Sequence, residues 1–298
     1  MDNIKTFLIF GLLIVSLLLW EAWQNEHVRP AEVAEQTMTP TGVDAVESNG
    51  DLPDLPVIST RSENSLPAVD SVAISSTGNQ IHIKTDVLDV YIDPKGGDIR
   101  RLALSKYPIE SNDPDVPVQF LNDNAKDFFV VQSGLRSDVS APTHYEQYSV
   151  ENHQYALTAD NDSLLVPLHW QSEDGLKVTK TYRFKRDSYL IDVDYQVTNG
   201  SGQTFSAYPY AQFNRKRPSE DSSLIYTYTG AVFSTAGEEY EKIDFDDLED
   251  ASFSRTASTG WASMIQHYFV AAMIPALDEK EKGFYGKSIN EQNYTAGI

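Results

Sequence analysis

Alternation of apolar and polar residues with period two is the feature that most constrains the fold of this chain. In residues 189–197 one face would carry only apolar and aromatic side chains, namely Tyr189, Ile191, Val193, Tyr195 and Val197. The other face would carry mostly polar side chains, namely Leu190, Asp192, Asp194, Gln196 and Thr198. This pattern predicts a strand with one buried and one mostly hydrated face. Similar short runs, broken by Gly, Asn, Asp and Pro, continue over residues 81–298 without a sustained helical period, so we predict an all-β class with two packed sheets.

Three details of the pattern predict local structure. Upstream of residue 189, Val178, Tyr182 and Phe184 share a face that Lys180 interrupts, and residues 186–188 predict a hairpin to the next strand. Apolar parity changes at Asp86, which predicts a bulge or a strand break near Thr85 and Asp86.

Two later segments are denser in apolar residues or turn residues. Residues 261–274 could form a buried helix, but their aromatic and β-branched content, followed by Pro275, favours central strands. Residues 284–298 contain Gly286, Asn290, Asn293 and Gly297, which indicates turns between short strands rather than the end of a domain.

An uncharged apolar run near the N-terminus predicts a membrane anchor. Residues 6–20 carry no charge, and extension to residue 23 gives a helix of roughly 27 Å, which just spans a bilayer. A cleaved signal peptide is the alternative, but bulky residues at the end of the run favour retention with an interfacial aromatic belt. The predicted anchor residues are Phe7, Leu8, Ile9, Leu12, Leu13, Ile14, Leu17, Leu18, Trp20 and Trp23. The acidic remainder of the chain favours a cytoplasmic N-terminus.

A segment without Phe, Tyr or Trp separates the anchor from the strand pattern. Residues 24–80 are rich in Pro, Ser, Thr, Asp and Glu, so they cannot bury enough apolar area to offset chain entropy. We therefore predict an anchor at residues 1–23, a disordered linker at residues 24–80 spanning about 40 Å, and a β domain at residues 81–298.

Composition excludes several kinds of function. The chain has 23 Lys and Arg against 44 Asp and Glu, a net charge of −21, so a nucleic-acid-binding basic face is not expected. The absence of Cys excludes disulfides and thiolate catalysis, and six scattered His residues form no metal-ligand motif, so we expect neither metal nor cofactor. No catalytic motif is present, and we expect no enzymatic activity.

Two charged clusters remain as candidate sites. The acidic run Asp244, Asp246, Asp247, Glu249 and Asp250 lacks the pattern of a calcium loop and is interpreted as a solvated loop. The only basic cluster of the acidic domain comprises Arg215, Lys216 and Arg217; it could dock a partner, although a solvated loop tip is the favoured interpretation.

Several motifs in a fixed order resemble the YidC family of Gram-negative membrane protein insertases. They are LLLWEAWQ, KTDVLDVYIDPKGGDIRRLAL, QSGL, TKTYRFKRDSYLIDVDYQVTN, GAVFSTAGEEYEKIDFDDLED and GWASMIQHYFVAAMIP. The resemblance implies a periplasmic β-supersandwich, similar to galactose mutarotase, after a first transmembrane helix in the bacterial inner membrane. It also implies that further strands and the insertase core follow residue 298, so that this chain would be a fragment with an unpaired sheet edge near its last residues.

The resemblance further implies partners. Family members insert nascent inner-membrane proteins into the lipid bilayer, alone or with the Sec translocon, and part of the periplasmic domain contacts the SecDF accessory complex. That region corresponds to about residues 205–255, with Phe205, Arg215, Lys216, Arg217, Tyr240 and Asp246 as possible contacts.

Two other functions stay open. A sugar-binding or aldose-epimerase-like protein would need an acid and a base facing one sugar, and His153, His169 or His267 could supply one of them. A structural spacer without partners is the third hypothesis. Shared fold alone does not carry function, so partner docking is favoured.

Overall fold

The structure is a computed structural model that describes residues 52–53, 79–110, 112–218, 228–266, 268–278, 280–290 and 292–298. The predicted anchor residues, from Phe7 to Trp23, and most of the predicted linker lie outside these residues. The described residues all belong to one compact unit, Asn49–Ile298. Within them, every helix is too short or too polar to cross a membrane.

The described residues form seventeen strands and one short helix. The strands are β1 (Ile81–Lys84), β2 (Leu88–Asp93), β3 (Asp98–Glu110), β4 (Asp113–Leu121), β5 (Phe129–Arg136), β6 (Gln154–Ala156), β7 (Ser163–Gln171), β8 (Leu176–Lys185), β9 (Ile191–Asn199), β10 (Tyr208–Lys216), β11 (Thr229–Thr235), β12 (Glu238–Ile243), β13 (Phe253–Ala257), β14 (Gly260–Gln266), β15 (Phe269–Met273), β16 (Lys282–Asn290) and β17 (Asn293–Gly297). Helix α1 (Phe245–Asp250) lies between β12 and β13.

The strands form one large sheet and two small ones. The ten-stranded sheet has the order β13-β16-β17-β10-β5-β3-β2-β1-β6, with β4 paired to β3. The small sheets have the orders β12-β11-β14-β15 and β7-β8-β9. Both pack on the large sheet: Phe233 of β11 stacks on Phe253 of β13 at 4.2 Å between ring centroids, and Tyr195 of β9 donates a hydrogen bond to Ser133 of β5. The all-β prediction is confirmed, but two separate sheets occupy the second layer.

Most local predictions are confirmed. The hairpin is the antiparallel pair β8 and β9. The parity change near Asp86 marks a strand break, because β1 ends at Lys84 and turns back into β2, with Thr85 Oγ1 accepting from the Leu88 amide at 2.9 Å. Residues 261–274 fall in the hairpin of β14 and β15; β14 is internal, whereas β15 is an edge strand.

The strand pairing and the helix assignment contradict two predictions. The last strand, β17, pairs with β16 and with β10, so the segment near residue 298 is internal to the large sheet rather than an unpaired edge. The acidic run is helix α1 rather than a solvated loop. Its first turn is stabilised by the Asp247 carboxylate, which accepts from the Asp244 amide at 3.1 Å, and its buried face carries Phe245 and Leu248.

Lys180 joins the two layers. It lies on the inward face of β8 with no exposed surface, and its ammonium donates to the carbonyl oxygens of Gly96 (2.9 Å), Gly97 (3.0 Å) and Ser133 (2.9 Å) in the large-sheet layer. Three acceptors use all three protons of an ammonium group. The residue that interrupts the apolar face of β8 is therefore a buried cation that connects the layers.

The turn that receives Lys180 requires glycine. Gly96 has a φ of 74°, and a Cβ atom there would lie 2.3 Å from the His144 carbonyl oxygen. The chain can therefore present the carbonyls of Gly96 and Gly97 to Lys180 only without side chains on this turn.

Asp98 follows this turn and is also buried. Its Oδ2 accepts from Gln132 Nε2 at 3.1 Å, and burial raises its pKa from 3.8 to about 6, against the lowering effect of His144 and Lys180. Burial lowers the pKa of Lys180 to about 7, and Asp98 opposes that effect. Both charged groups therefore depend on the surrounding polar atoms to stay inside the protein.

We predict that Lys180→Met lowers the free energy of unfolding by about 3–5 kcal/mol, because three buried carbonyls and Asp98 lose their cation. Urea denaturation measures this change. Lys177→Met is the matched control, since Lys177 lies on the exposed face of the same strand. Equal stability of the Lys180→Met protein and the wild type would contradict the role assigned to Lys180.

We predict a pH dependence that comes from Asp98. Its folded pKa, about 6, lies above the ordinary 3.8, so the protonated carboxyl stabilises the fold below pH 3.8 and this contribution is lost as the pH rises through 6. The difference in unfolding free energy between the wild type and the Asp98→Asn protein should therefore fall by up to about 3 kcal/mol as the pH rises from 3.8 to 6. Urea denaturation at several pH values measures this difference. Asp115 is exposed, and Asp115→Asn is the control. If the difference between the wild type and Asp115→Asn changed with pH in the same way, the assignment to Asp98 would be refuted.

Candidate functional site

A large apolar cleft lies between the two small sheets. Its volume is about 1750 Å³, and its floor is the inner face of the large sheet, including Leu102, Phe120 and Phe213. Strand β9 forms one wall, and β15 with the residues after it forms the other. The volume exceeds the roughly 300–1,000 Å³ of small-molecule pockets, so the cleft fits a polypeptide segment better than a single sugar.

The walls of the cleft expose apolar side chains. Val193 of β9 is 39% exposed and Val270 of β15 is 58% exposed. The face of residues 189–197 that alternation predicts to be buried therefore borders an open cleft, and the prediction of burial is wrong for Tyr189, Val193 and Val197. A contiguous exposed apolar surface of this kind is typical of an interface.

Arg215 is internal. It is 3% exposed, its guanidinium lies 4.7 Å from the Phe129 ring centroid, and it donates to the Ile265 carbonyl and to Gln266 Oε1 at 3.0 Å each. Burial lowers the pKa of Arg215 to about 10. Arg215 thus links β10 to β14, and neither a solvated loop tip nor a direct partner contact fits this position.

The other two basic residues also make internal contacts. Lys216 Nζ donates to the Ala125 carbonyl at 2.9 Å. Arg217 pairs with Asp246 at 2.7 Å and with Glu249 at 2.9 Å, and it donates to the Tyr294 hydroxyl. The two charged clusters of the sequence therefore meet, because Arg217 holds helix α1 against the end of β10 and β17.

A different surface in the same region is accessible, and we call it the docking face: Glu238, Glu239 and Tyr240 are exposed on β12, Trp261 is half-buried on β14, and Asp246 is exposed on helix α1, which follows β12. Tyr240 is 54% exposed, has a φ of 60°, and lies 6.4 Å from Trp261 between ring centroids. The two rings, Glu239 and Gly260 line a pocket of about 350 Å³. Among the described residues β12 pairs only with β11, so its outer edge is free, and it continues into the acidic helix α1.

The structure distributes the six predicted contact residues unevenly. Tyr240 and Asp246 are exposed on the docking face, Phe205 is half-buried on the rim of the cleft, and Arg215 is buried. Sequence reasoning missed Trp261 and Glu239. These two residues become candidates only because β12 is an edge strand, and that depends on strand pairing. It also missed helix α1, for which the Asp244 and Asp247 spacing was an available signal.

The two described histidines named for the sugar-site hypothesis, His153 and His169, lie away from the apolar cleft. His169 Nδ1 lies 3.1 Å from Thr179 Oγ1 on the paired strands β7 and β8, and His153 is exposed on the loop before β6. Neither residue lines the cleft, and His267 lies outside the described residues. Across the described ranges, no group of three or more His, Asp or Glu side chains is placed to hold a metal ion.

Comparison with known proteins identifies the family. The family model of the YidC periplasmic domain matches residues 80–298. Proteins named membrane protein insertase YidC match the whole chain: that of Nitrosococcus oceani is 38% identical over 303 residues, and that of Methylococcus capsulatus is 36% identical over 301 residues. The chain covers 54% and 53% of these two relatives, so it spans about half the length of the curated relatives that it matches. The chain therefore belongs to the YidC family, and residues 80–298 correspond to the periplasmic domain of that family.

Proposed function

We propose that this chain is the anchor and periplasmic domain of a membrane protein insertase that inserts and folds inner-membrane proteins, alone or with the Sec translocon. The observation that carries the proposal is the family match over residues 80–298, together with relatives that are named as insertases. In this proposal the N-terminus is cytoplasmic, the predicted helix at residues 1–23 sits in the inner membrane, and the β domain is periplasmic.

Within that protein the β domain acts by binding rather than by catalysis. The groups with strongly shifted pKa values, such as Asp98 and Lys180, are buried and hold the fold together. The accessible features are an apolar cleft and an acidic, aromatic docking face. These are properties of surfaces that recognise other polypeptides.

The docking face binds the SecDF accessory complex. Its exposed β12 edge offers unpaired main-chain groups, and Tyr240 with Trp261 offers aromatic anchors of the type that dominates binding energy. Three of the six residues of β12 are Glu, in a chain of net charge −21, so the complementary partner surface is basic.

We predict that Tyr240→Ala weakens SecDF binding by about 2 kcal/mol, or about 30-fold, because an aromatic anchor is lost at the centre of the face. Binding of the purified chain to immobilised SecDF measures the effect, and Glu239→Gln, which removes a charge from the docking face, should lower the association rate at low salt. Tyr145→Ala is the matched control, since Tyr145 is 44% exposed on the loop before β6. Unchanged affinity of the Tyr240→Ala protein would refute this location.

The cleft has a separate proposed role. We propose that strands from a longer form of the polypeptide add to the edges of β9 and β15 and cover the cleft, which would complete a β-supersandwich. Two edge strands that face one apolar cleft, and relatives almost twice as long as the chain, support this proposal. Covering Val193 and Val270 would remove their apolar area from water.

We predict that a cysteine at position 193 reacts with maleimide at least 10-fold more slowly in the full-length protein than in residues 1–298. The slower reaction follows from steric protection by the added strands. Residues 1–298 contain no Cys, and any Cys beyond residue 298 is replaced by Ser before labelling. Asn161→Cys, on the exposed loop before β7, is the matched control and should react equally in both proteins. Equal rates at position 193 would show that the cleft stays open.

A further inference from the structure

Residues 52 and 53 of the predicted linker contact the β domain far from the strand that begins it. The Lys287 ammonium on β16 donates to the Leu52 carbonyl oxygen at 2.9 Å, and both residues are half-buried. Pro53 lines the apolar cleft. The compact unit that contains the β domain accordingly begins at Asn49 rather than near residue 80.

The chemistry of this contact suits a docking segment. A residue before proline favours an extended conformation, so the Leu52 carbonyl is available to an outside donor. Lys287 supplies a charge-assisted donor from a strand that is paired on both sides, by β13 and β17. Pro53 loses little conformational freedom when it enters the cleft, because its φ is fixed by the ring.

The position of the contact sets the geometry of attachment. In the large sheet five strands separate β16 from β1, so the two sites lie about 29 Å apart across the sheet at the usual strand spacing. Residues 54–78, which connect Pro53 to the start of the β domain, could cover about 80 Å when extended, so they can span this separation.

We infer that residues 52–53 are a docking segment that attaches the membrane-proximal half of the linker to β16 at the cleft. The tether between the predicted anchor and the domain then comprises residues 24–51 instead of residues 24–80.

Distances between two spin labels in the chain of residues 1–298, reconstituted in lipid nanodiscs, test this inference. The pair Asp51→Cys and Gln292→Cys places one label beside the segment and one on the exposed turn between β16 and β17. The pair Thr37→Cys and Gln292→Cys is the matched control, with the first label farther up the linker. We expect a narrow distance distribution for the 51/292 pair and a broad one for the 37/292 pair.

Substitutions at Lys287 test the mechanism. Lys287→Met should broaden the 51/292 distribution, whereas Lys287→Arg, which keeps a cationic donor, should leave it narrow. Thermal unfolding of each variant checks that the domain itself stays folded. A 51/292 distribution as broad as the control in the wild type would overturn the inference, and so would a narrow distribution in a folded Lys287→Met protein.

Discussion

The buried Lys180 ammonium is the interaction on which the arrangement of the two layers depends. A cation inside a β sandwich is tolerated only when every donor is satisfied, and here three carbonyls from the opposite layer satisfy it. The Gly96 and Gly97 turn, the middle of β5 and the inward face of β8 are consequently fixed relative to one another. Apolar packing alone would hold the two layers together, but it would fix their relative position less closely.

A second buried cation performs a similar task on the other side of the sandwich. Arg215 connects β10 of the large sheet to β14 of the four-stranded sheet through a carbonyl and an amide side chain. Each small sheet is therefore fixed to the large sheet by its own polar contact. No such connection joins β9 to β15 in the described part of the chain, and the apolar cleft lies between these two edges.

The difference between the buried ionisable groups and the accessible surfaces bears on the function proposed for this member of the insertase family. The buried groups Asp98, Lys180 and Arg215 connect elements of the fold, whereas the accessible cleft is apolar and the docking face is aromatic and acidic. These surface properties are the basis of the proposed recognition of other polypeptides. The Lys287 contact is another case in which a side chain binds a main-chain group. Here the Lys287 ammonium binds the Leu52 carbonyl oxygen of the predicted linker.

The sequence by itself determined the all-β class, the β8 and β9 hairpin, the break after Lys84 and the family, because each is encoded in neighbouring residues or in ordered motifs. The buried Lys180 was also recognisable in the sequence, because it interrupts an apolar face. Only the tertiary structure decided that β9 borders a cleft, that β17 is internal and that Arg215 is buried. Period-two alternation reports which side chains share a face, but burial depends on what packs against that face, and strand order depends on contacts between residues distant in sequence.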